Sequence, residues 1–343
     1  MTITHPGKCL RPHTLVFILI LFSGTGQGQM KKSMVSPLKY ELVNDWPKLP
    51  DGYVLSQPGG IGVDTGQHIF VFHRPGRKWT LLNDEFPDSL ISSNTILMLD
   101  RESGKILNSW GADLFIMPHG LTVDKDNNIW VTDVGLHQVF KFSHEGKLLM
   151  KLGKAKVPGR DSLHFNRPTD VAVAEDGSFY VSDGYRNSRV IKFSKTGKYL
   201  FEWGKKGDQP GEFNIPHAID RDDQGNIYVA DRENSRIQEF DANGKFLRQW
   251  KEASFAKMYS VAIDKENQQI FAVDYLILLD SIIKGSNLLG FDSEGHLSLQ
   301  MGRAGSYQGP ICRYHDLAID NAGNIYIGDI LGNRVQKFRK VSR

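Results

Sequence analysis

Three histidines, His119, His217 and His315, follow one another at intervals of 98 residues. Each holds the same position in a recurring stretch: "PHGLTVDKDNN" begins at Pro118, "PHAIDRDDQGN" at Pro216 and "YHDLAIDNAGN" at Tyr314. Three neutral imidazoles with an open fourth position form the ligand set of a catalytic zinc, whereas structural zinc sites close with four ligands, often cysteines. Only two cysteines exist here, Cys9 and Cys312, too few for a closed thiolate site. Any one of the histidines alone reads as a surface or satisfied core residue. Their shared register is what turns them into a candidate metal centre. Two other residues break the recurring pattern: Arg74 in "VFHR" and Tyr185 in "SDGYRNSR".

The elements that must carry these residues come in repeats of about fifty residues. Full copies start at Pro118, Pro168 and Pro216, weaker ones near Pro58 and Met258, and a last one at Tyr314. Each copy reads as four short strands separated by turns. "DNN", "EDG", "DQG" and "NAG" supply residues that tolerate positive φ in hairpins. Four-stranded units at this period are the signature of propeller blades, so an all-β, six-bladed β-propeller is expected as one domain over residues 30–343. A β-sandwich or a stacked solenoid would not explain one motif repeated six times. The last copy stops after its third strand at "RVQKF", and "LKYELV" (38–43) is expected to supply the fourth, hiding an open edge.

In six blades the aligned position reads Gly59, His119, Thr169, His217, Tyr259 and His315. It lies at the entrance to the innermost strand, and alternate blades stand a third of a revolution apart. The three imidazoles should therefore meet on the axis. Asp133, Asp183, Asp231, Asp274 and Asp329 recur after the second strand and read as turn caps. The Asn/Ser-Arg pairs of "SDGYRNSR", "ADRENSR" and "GDILGNR" read as braces between strands. Arg74 and Tyr185 follow second strands, which puts both in loops at one end of the ring.

Residues 1–29 differ from the rest. Lys8 and Arg11 precede the apolar run "LVFILILF" (15–22) and then "SGTGQGQ", the order of a secretion signal, and the run is too short to span a bilayer. A secreted or periplasmic protein is expected, and no cysteine follows the run to carry a lipid anchor. Removing the signal takes away two positive charges and no negative one, lowering the formal +3 to +1. Such a balance, without a basic cluster, does not point to nucleic acid or a membrane surface; no nucleic-acid partner and no membrane span are expected. Cys312 would remain as a lone cysteine, without an internal disulfide.

Taken together, "VFHR", "MPHGLTVDKDNNIWVTDVGLHQVFKF", "PTDVAVAEDGSFYVSDGYRNSRV", "FNIPHAI" with "VADRENSRIQ", and "YHDLAIDNAGNIYIGD" resemble the peptidyl-α-hydroxyglycine α-amidating lyases, which are built on NHL-type repeats. The resemblance runs from about Trp46 to Phe338. It implies that His119, His217 and His315 bind Zn2+, that Tyr185 is the catalytic tyrosine and that Arg74 stands beside it. It also implies a structural Ca2+ held by the Asp316 carboxylate and the backbone carbonyls of Ile61 and Leu121, hard ligands suited to that ion. The implied reaction splits a peptidyl- or N-acyl-α-hydroxyglycine into an amide and glyoxylate, by a chain expected to act as a monomer. The fused enzymes also carry a copper monooxygenase half, which is not expected within this length. Two disulfides of the animal enzymes correspond here to Asn166 with Arg186 and Tyr228 with Glu239. The Met-Pro expected before the third histidine is Arg313-Tyr314, which puts substrate identity in question. Three other readings stay open: a non-enzymatic NHL propeller binding a protein or glycan, a calcium-dependent lactonase with carboxylate and asparagine ligands, and a zinc enzyme acting on another carbinolamide.

Overall fold

The structure is a computed structural model that describes Thr2 and residues 39–79, 85–278, 282–292, 294–303 and 309–341. The secretion signal expected at 1–29 lies outside those residues, apart from Thr2. Among the described residues the strands form six antiparallel sheets; five follow chain order from the innermost strand outward, and the sixth ends on the N-terminal strand Tyr40–Leu42. The innermost strands are Gly60–Val63, Pro118–Val123, Asp170–Val173, Pro216–Arg221, Lys257–Asp264 and Tyr314–Ile319. Each touches the innermost strand of the next blade, and the last touches the first, so the ring is closed.

Burial falls from the centre outward, and the composition of each strand follows it. The second strands Ile129–Asp133, Phe179–Asp183, Ile227–Asp231 and Ile325–Asp329 are buried along their whole length. They are covered on both faces by neighbouring blades, so they read as continuous apolar runs and do not alternate. The outermost strand Leu148–Leu152 is largely exposed and tolerates lysine. Hairpins between first and second strands turn through residues at positive φ, as at Gly177 and Gly225.

The ring closes as expected, with a shorter strand: Tyr40–Leu42 pairs with Arg334–Lys340, Tyr40 opposite Lys340 and Leu42 opposite Phe338. Leu38, the first residue of the expected strand, lies outside the described residues. Blade five departs from the four-strand plan, because a short strand Ile283–Gly285 pairs with the long Gln269–Ile277. Tyr228 and Glu239 sit directly opposite one another in blade four. That is the adjacency a disulfide between those positions would need.

The recurrent aspartates cap turns and also anchor the loop that leads into each blade. Asp133 accepts from the N–H groups of Gly135 and Leu136 on one oxygen and of Ile116 and Met117 on the other. Asp183 and Asp231 pair with Arg189 at 3.0 Å and Arg236 at 2.8 Å, both pairs buried. Arg189 also reaches Glu202 on the outermost strand, the bracing expected of the repeat arginines. In blades two to six the approach to the innermost strand is thereby tied to the end of the second strand.

Candidate active site

The start of the innermost strand is where the aligned residues meet. The rings of His119, His217 and His315 have centroids 4.7, 4.7 and 4.9 Å apart, and all three are buried. Each Nδ1 donates to a backbone carbonyl of the following blade: His119 to Thr169 at 2.7 Å, His217 to Tyr259 at 2.6 Å, and His315 to Gly59 at 2.7 Å. Those acceptors are the residues that hold the aligned position in the odd blades. A carbonyl only accepts, so Nδ1 carries the proton and Nε2 keeps its lone pair toward the axis. Burial holds all three well below the ordinary imidazole range, followed by the charge of Arg74 for His119 and of neighbouring imidazoles for the other two. The three form a group able to hold a metal ion. They fit the zinc that the resemblance implies.

Tyr185 and Arg74 lie beside this group. The Tyr185 hydroxyl is 3.0 Å from His119 Nε2 and 3.1 Å from His217 Nε2. Its ring packs on Trp79, with centroids 4.8 Å apart. Gly184 lets the loop approach this closely, because a Cβ there would lie 2.0 Å from the Pro216 carbonyl oxygen. Burial pushes the phenol above its ordinary value, and this outweighs the opposing charges of Arg232, Arg74 and Arg313. The Arg74 Nε donates to the Pro118 carbonyl at 2.7 Å and Nη1 to Gln57 Oε1 at 3.3 Å. Its buried Nη2 has no hydrogen-bond partner among the described residues. Burial brings the guanidinium down to about 10, which leaves it cationic at neutral pH.

Arg232, Tyr259 and Trp79 were not legible as site residues. The Arg232 Nη1 lies 3.4 Å from the Tyr185 hydroxyl, and its guanidinium spans the rings of Tyr185 and Tyr259 at 5.2 Å each. Glu233 partners it at 2.9 Å. Its loop is fixed by the Arg232 N–H donating to the carbonyl of Ile215, a β-branched residue at φ 64°. Such a conformation is strained for isoleucine, and it occurs here two residues before His217. Arg232 looks like part of the generic "ADREN" frame. Tyr259 looks like an odd-blade filler, and Trp79 falls in a stretch the repeat alignment does not cover.

At the other end of the innermost strands, a cavity of about 380 Å3 is lined by Ile61, Leu121, Asp170, Asp220 and Asp316 among others. The Asp316 carboxylate accepts from the Ile61 N–H at 2.8 Å and from Ser260 Oγ at 2.7 Å. Burial raises it to about 7 and raises Asp170, which it repels, well above the carboxylate range. Buried carboxylates with no ion-pair partner among the described residues fit a hard cation. Asp170 and Asp220 add carboxylates that sequence reasoning had not assigned. A second metal-capable group, Asp64, His68 and His144, links blades one and two; there Asp64 Oδ2 is 2.8 Å from His68 Nδ1 and 2.7 Å from His144 Nε2.

A family profile described as "6-bladed beta-propeller" matches residues 158–273, and one described as "NHL repeat" matches residues 115–142. Among known proteins, the chain is 37% identical over 310 residues to "Peptidyl-glycine alpha-amidating monooxygenase B" of Xenopus laevis, covering 86% of this chain and 35% of that protein. It is 32% identical over 366 residues to "Peptidyl-alpha-hydroxyglycine alpha-amidating lyase 1" of Drosophila melanogaster, covering 92% of this chain and 65% of that one. The chain thus spans about a third of the length of the amidating monooxygenases it matches. The virginiamycin B lyase of Staphylococcus aureus superposes with a TM-score of 0.55 at 13% identity, over 89% of this chain and 100% of that one, a likeness of fold alone.

Proposed function

The chain belongs to the peptidyl-α-hydroxyglycine α-amidating lyase family, and we propose that it cleaves a peptidyl- or N-acyl-α-hydroxyglycine into the amide and glyoxylate. The observation that carries this reading is the Tyr185 hydroxyl within 3.1 Å of two histidine lone pairs, beside a buried guanidinium with an unpartnered nitrogen. The His119, His217 and His315 Nε2 atoms would hold Zn2+, which when bound supplies Lewis acidity to a substrate oxygen. The Asp316 carboxylate, with the carbonyls of Ile61 and Leu121, would hold Ca2+ as a brace between blades.

The reaction removes a proton from the hydroxyl oxygen, breaks the carbon–nitrogen bond and delivers a proton to the amide nitrogen. One proton leaves and one arrives, so a single group that accepts and returns it balances the step. Tyr185 Oη is the group we assign to that exchange. The guanidiniums of Arg232, Arg74 and Arg313 stabilise its ionised form against burial. Arg74 Nη2 is a buried donor that fits the substrate carboxylate, whose planar shape a guanidinium matches. The Trp79 ring against Tyr185 keeps water from one face of the phenol. Export through residues 1–29 and action as a monomer complete the proposal.

The test is glyoxylate release from an N-acyl-α-hydroxyglycine, measured with zinc-loaded protein and after chelation. Release that chelation abolishes and zinc restores is expected. A zinc-loaded protein that releases no glyoxylate would move the reading to another carbinolamide.

A further inference from the structure

Arg313 leads into the innermost strand of blade six, two residues before His315. Its Nη2 donates to the Tyr259 hydroxyl at 2.9 Å, and its guanidinium carbon lies 5.5 and 5.1 Å from the ring centroids of Tyr259 and Tyr275. Its backbone N–H donates to Asp329 Oδ1 at 2.8 Å, which fixes the base of the side chain. The guanidinium is thus oriented by two rings and a phenol. Among the described residues no carboxylate pairs with it, and its buried Nε has no hydrogen-bond partner. The other cations of the site are answered differently. Arg232 has Glu233, and the proposed substrate carboxylate answers Arg74. Arg313 is left with a charge that neither protein nor carboxylate neutralises, a costly state for a partly buried cation.

Tyr259 completes the arrangement. Its hydroxyl accepts from Arg313 and keeps its own proton to donate, and its ring packs on His217 at 4.9 Å between centroids. A guanidinium with an adjoining hydroxyl donor is the pairing that recognises a carboxylate. Arg313 is half-buried while Arg74 is fully buried, so it lies nearer the mouth, where the acyl part of a substrate extends. Resting on the lyase reading, we propose that Arg313 and Tyr259 form a second anion subsite. The preferred substrates are then α-hydroxyglycines whose acyl group carries its own carboxylate near the amide.

The test compares N-butanoyl- with N-succinyl-α-hydroxyglycine on the zinc-loaded protein, and binding of butanamide with succinamate by calorimetry. The wild type is expected to favour the acidic acyl group by about tenfold in kcat/KM, mainly through KM. Arg313→Met should bring that ratio close to one, Arg313→Lys should keep part of it, and Tyr259→Phe should lower it. A ratio near one in the wild type, or a ratio unchanged in Arg313→Met, overturns the subsite. If neither substrate yields glyoxylate, the lyase reading fails and calorimetry decides the subsite. Succinamate binding over butanamide that Arg313→Met abolishes supports it, and equal binding of the two amides overturns it.

Discussion

Tyr185 and His119 lie 66 residues apart in the chain and meet through a 3.0 Å contact between the phenolic oxygen and Nε2. The contact joins blade three to blade two at the mouth of the channel. Replacing Tyr185 with Phe removes the oxygen and keeps the ring on Trp79. Turnover is then expected to fall by roughly 10²–10⁴, the usual span for a positioned acid–base group. Elemental analysis should find unchanged zinc, and undiminished turnover would remove Tyr185 from the chemistry.

His217→Ala takes one of three ligands and leaves the other two imidazoles in their hydrogen bonds. A metal that binds only the folded protein stabilises it by about 2.7 kcal/mol at a hundredfold excess over its Kd. Thermal melts at fixed calcium, with and without added zinc, should therefore separate clearly in the wild type and coincide in the variant. Coincident curves in both proteins would rule out a metal at the three histidines.

Gly59 lies at the seam between blades six and one. Its carbonyl accepts from His315, and a Cβ on it would lie 2.9 Å from the His119 carbonyl oxygen and 3.1 Å from Arg74 Nη2. Gly59→Ala should displace Arg74 and cost on the order of 1–3 kcal/mol, as overpacking does. A raised KM with largely preserved zinc content is the expected pattern. An unchanged KM would mean that Arg74 does not hold the substrate.

The buried pair Asp231–Arg236 is a stability element, separate from the chemistry. Asp231→Ala leaves the Arg236 charge unpaired in the core and should cost roughly 3–5 kcal/mol in urea unfolding. Adding Arg236→Met should recover part of that loss. A double variant no better than the single one would show that the hydrogen bonds Asp231 accepts from the Asn214 N–H and the side chains of Asn234 and Gln238 matter more than the ion pair.

His73 is one source of pH dependence, beside the site histidines and His137, whose imidazoles burial also lowers. Burial lowers its imidazole from 6.5 to about 4, so the folded chain keeps it neutral where the unfolded chain binds a proton. Stability from this residue is present above pH 6.5 and falls as the pH drops toward 4. Between pH 7.5 and 5 the loss is about 2 kcal/mol. Urea midpoints should fall over that interval in the wild type and fall by visibly less in His73→Gln. Equal slopes in both would mean that the ring stays solvated.

Much of this was legible because a propeller converts repeat register into position around an axis. The 98-residue spacing of His119, His217 and His315 sufficed to bring them together, and the truncated last copy pointed to a closing strand near Tyr40. The carbonyls of Thr169, Tyr259 and Gly59 were not legible as acceptors, since main-chain groups leave no mark on residue type. Arg232 hid in a frame common to many repeats, and no pattern distinguishes a pocket arginine from a bracing one such as Arg236. Asp170 stands one residue after the aligned position, as Asp316 does, and was legible beside it; Asp220 stands three residues after, so alignment separates it from residues that the channel brings to the same cavity.

The strand Tyr40–Leu42 closes a circle whose two ends are not neighbours in the chain, and the consequence is mechanical. The junction it secures is the one crossed by the hydrogen bond from His315 to Gly59. Tension transmitted along the polypeptide ahead of Tyr40 would load the pairing of Tyr40–Leu42 with Arg334–Lys340 first, at the outer edge of the blade whose innermost strand carries His315. The outer rim thus carries the load while two further strands, Arg334–Lys340 and Ile325–Asp329, stand between it and the histidine at the axis.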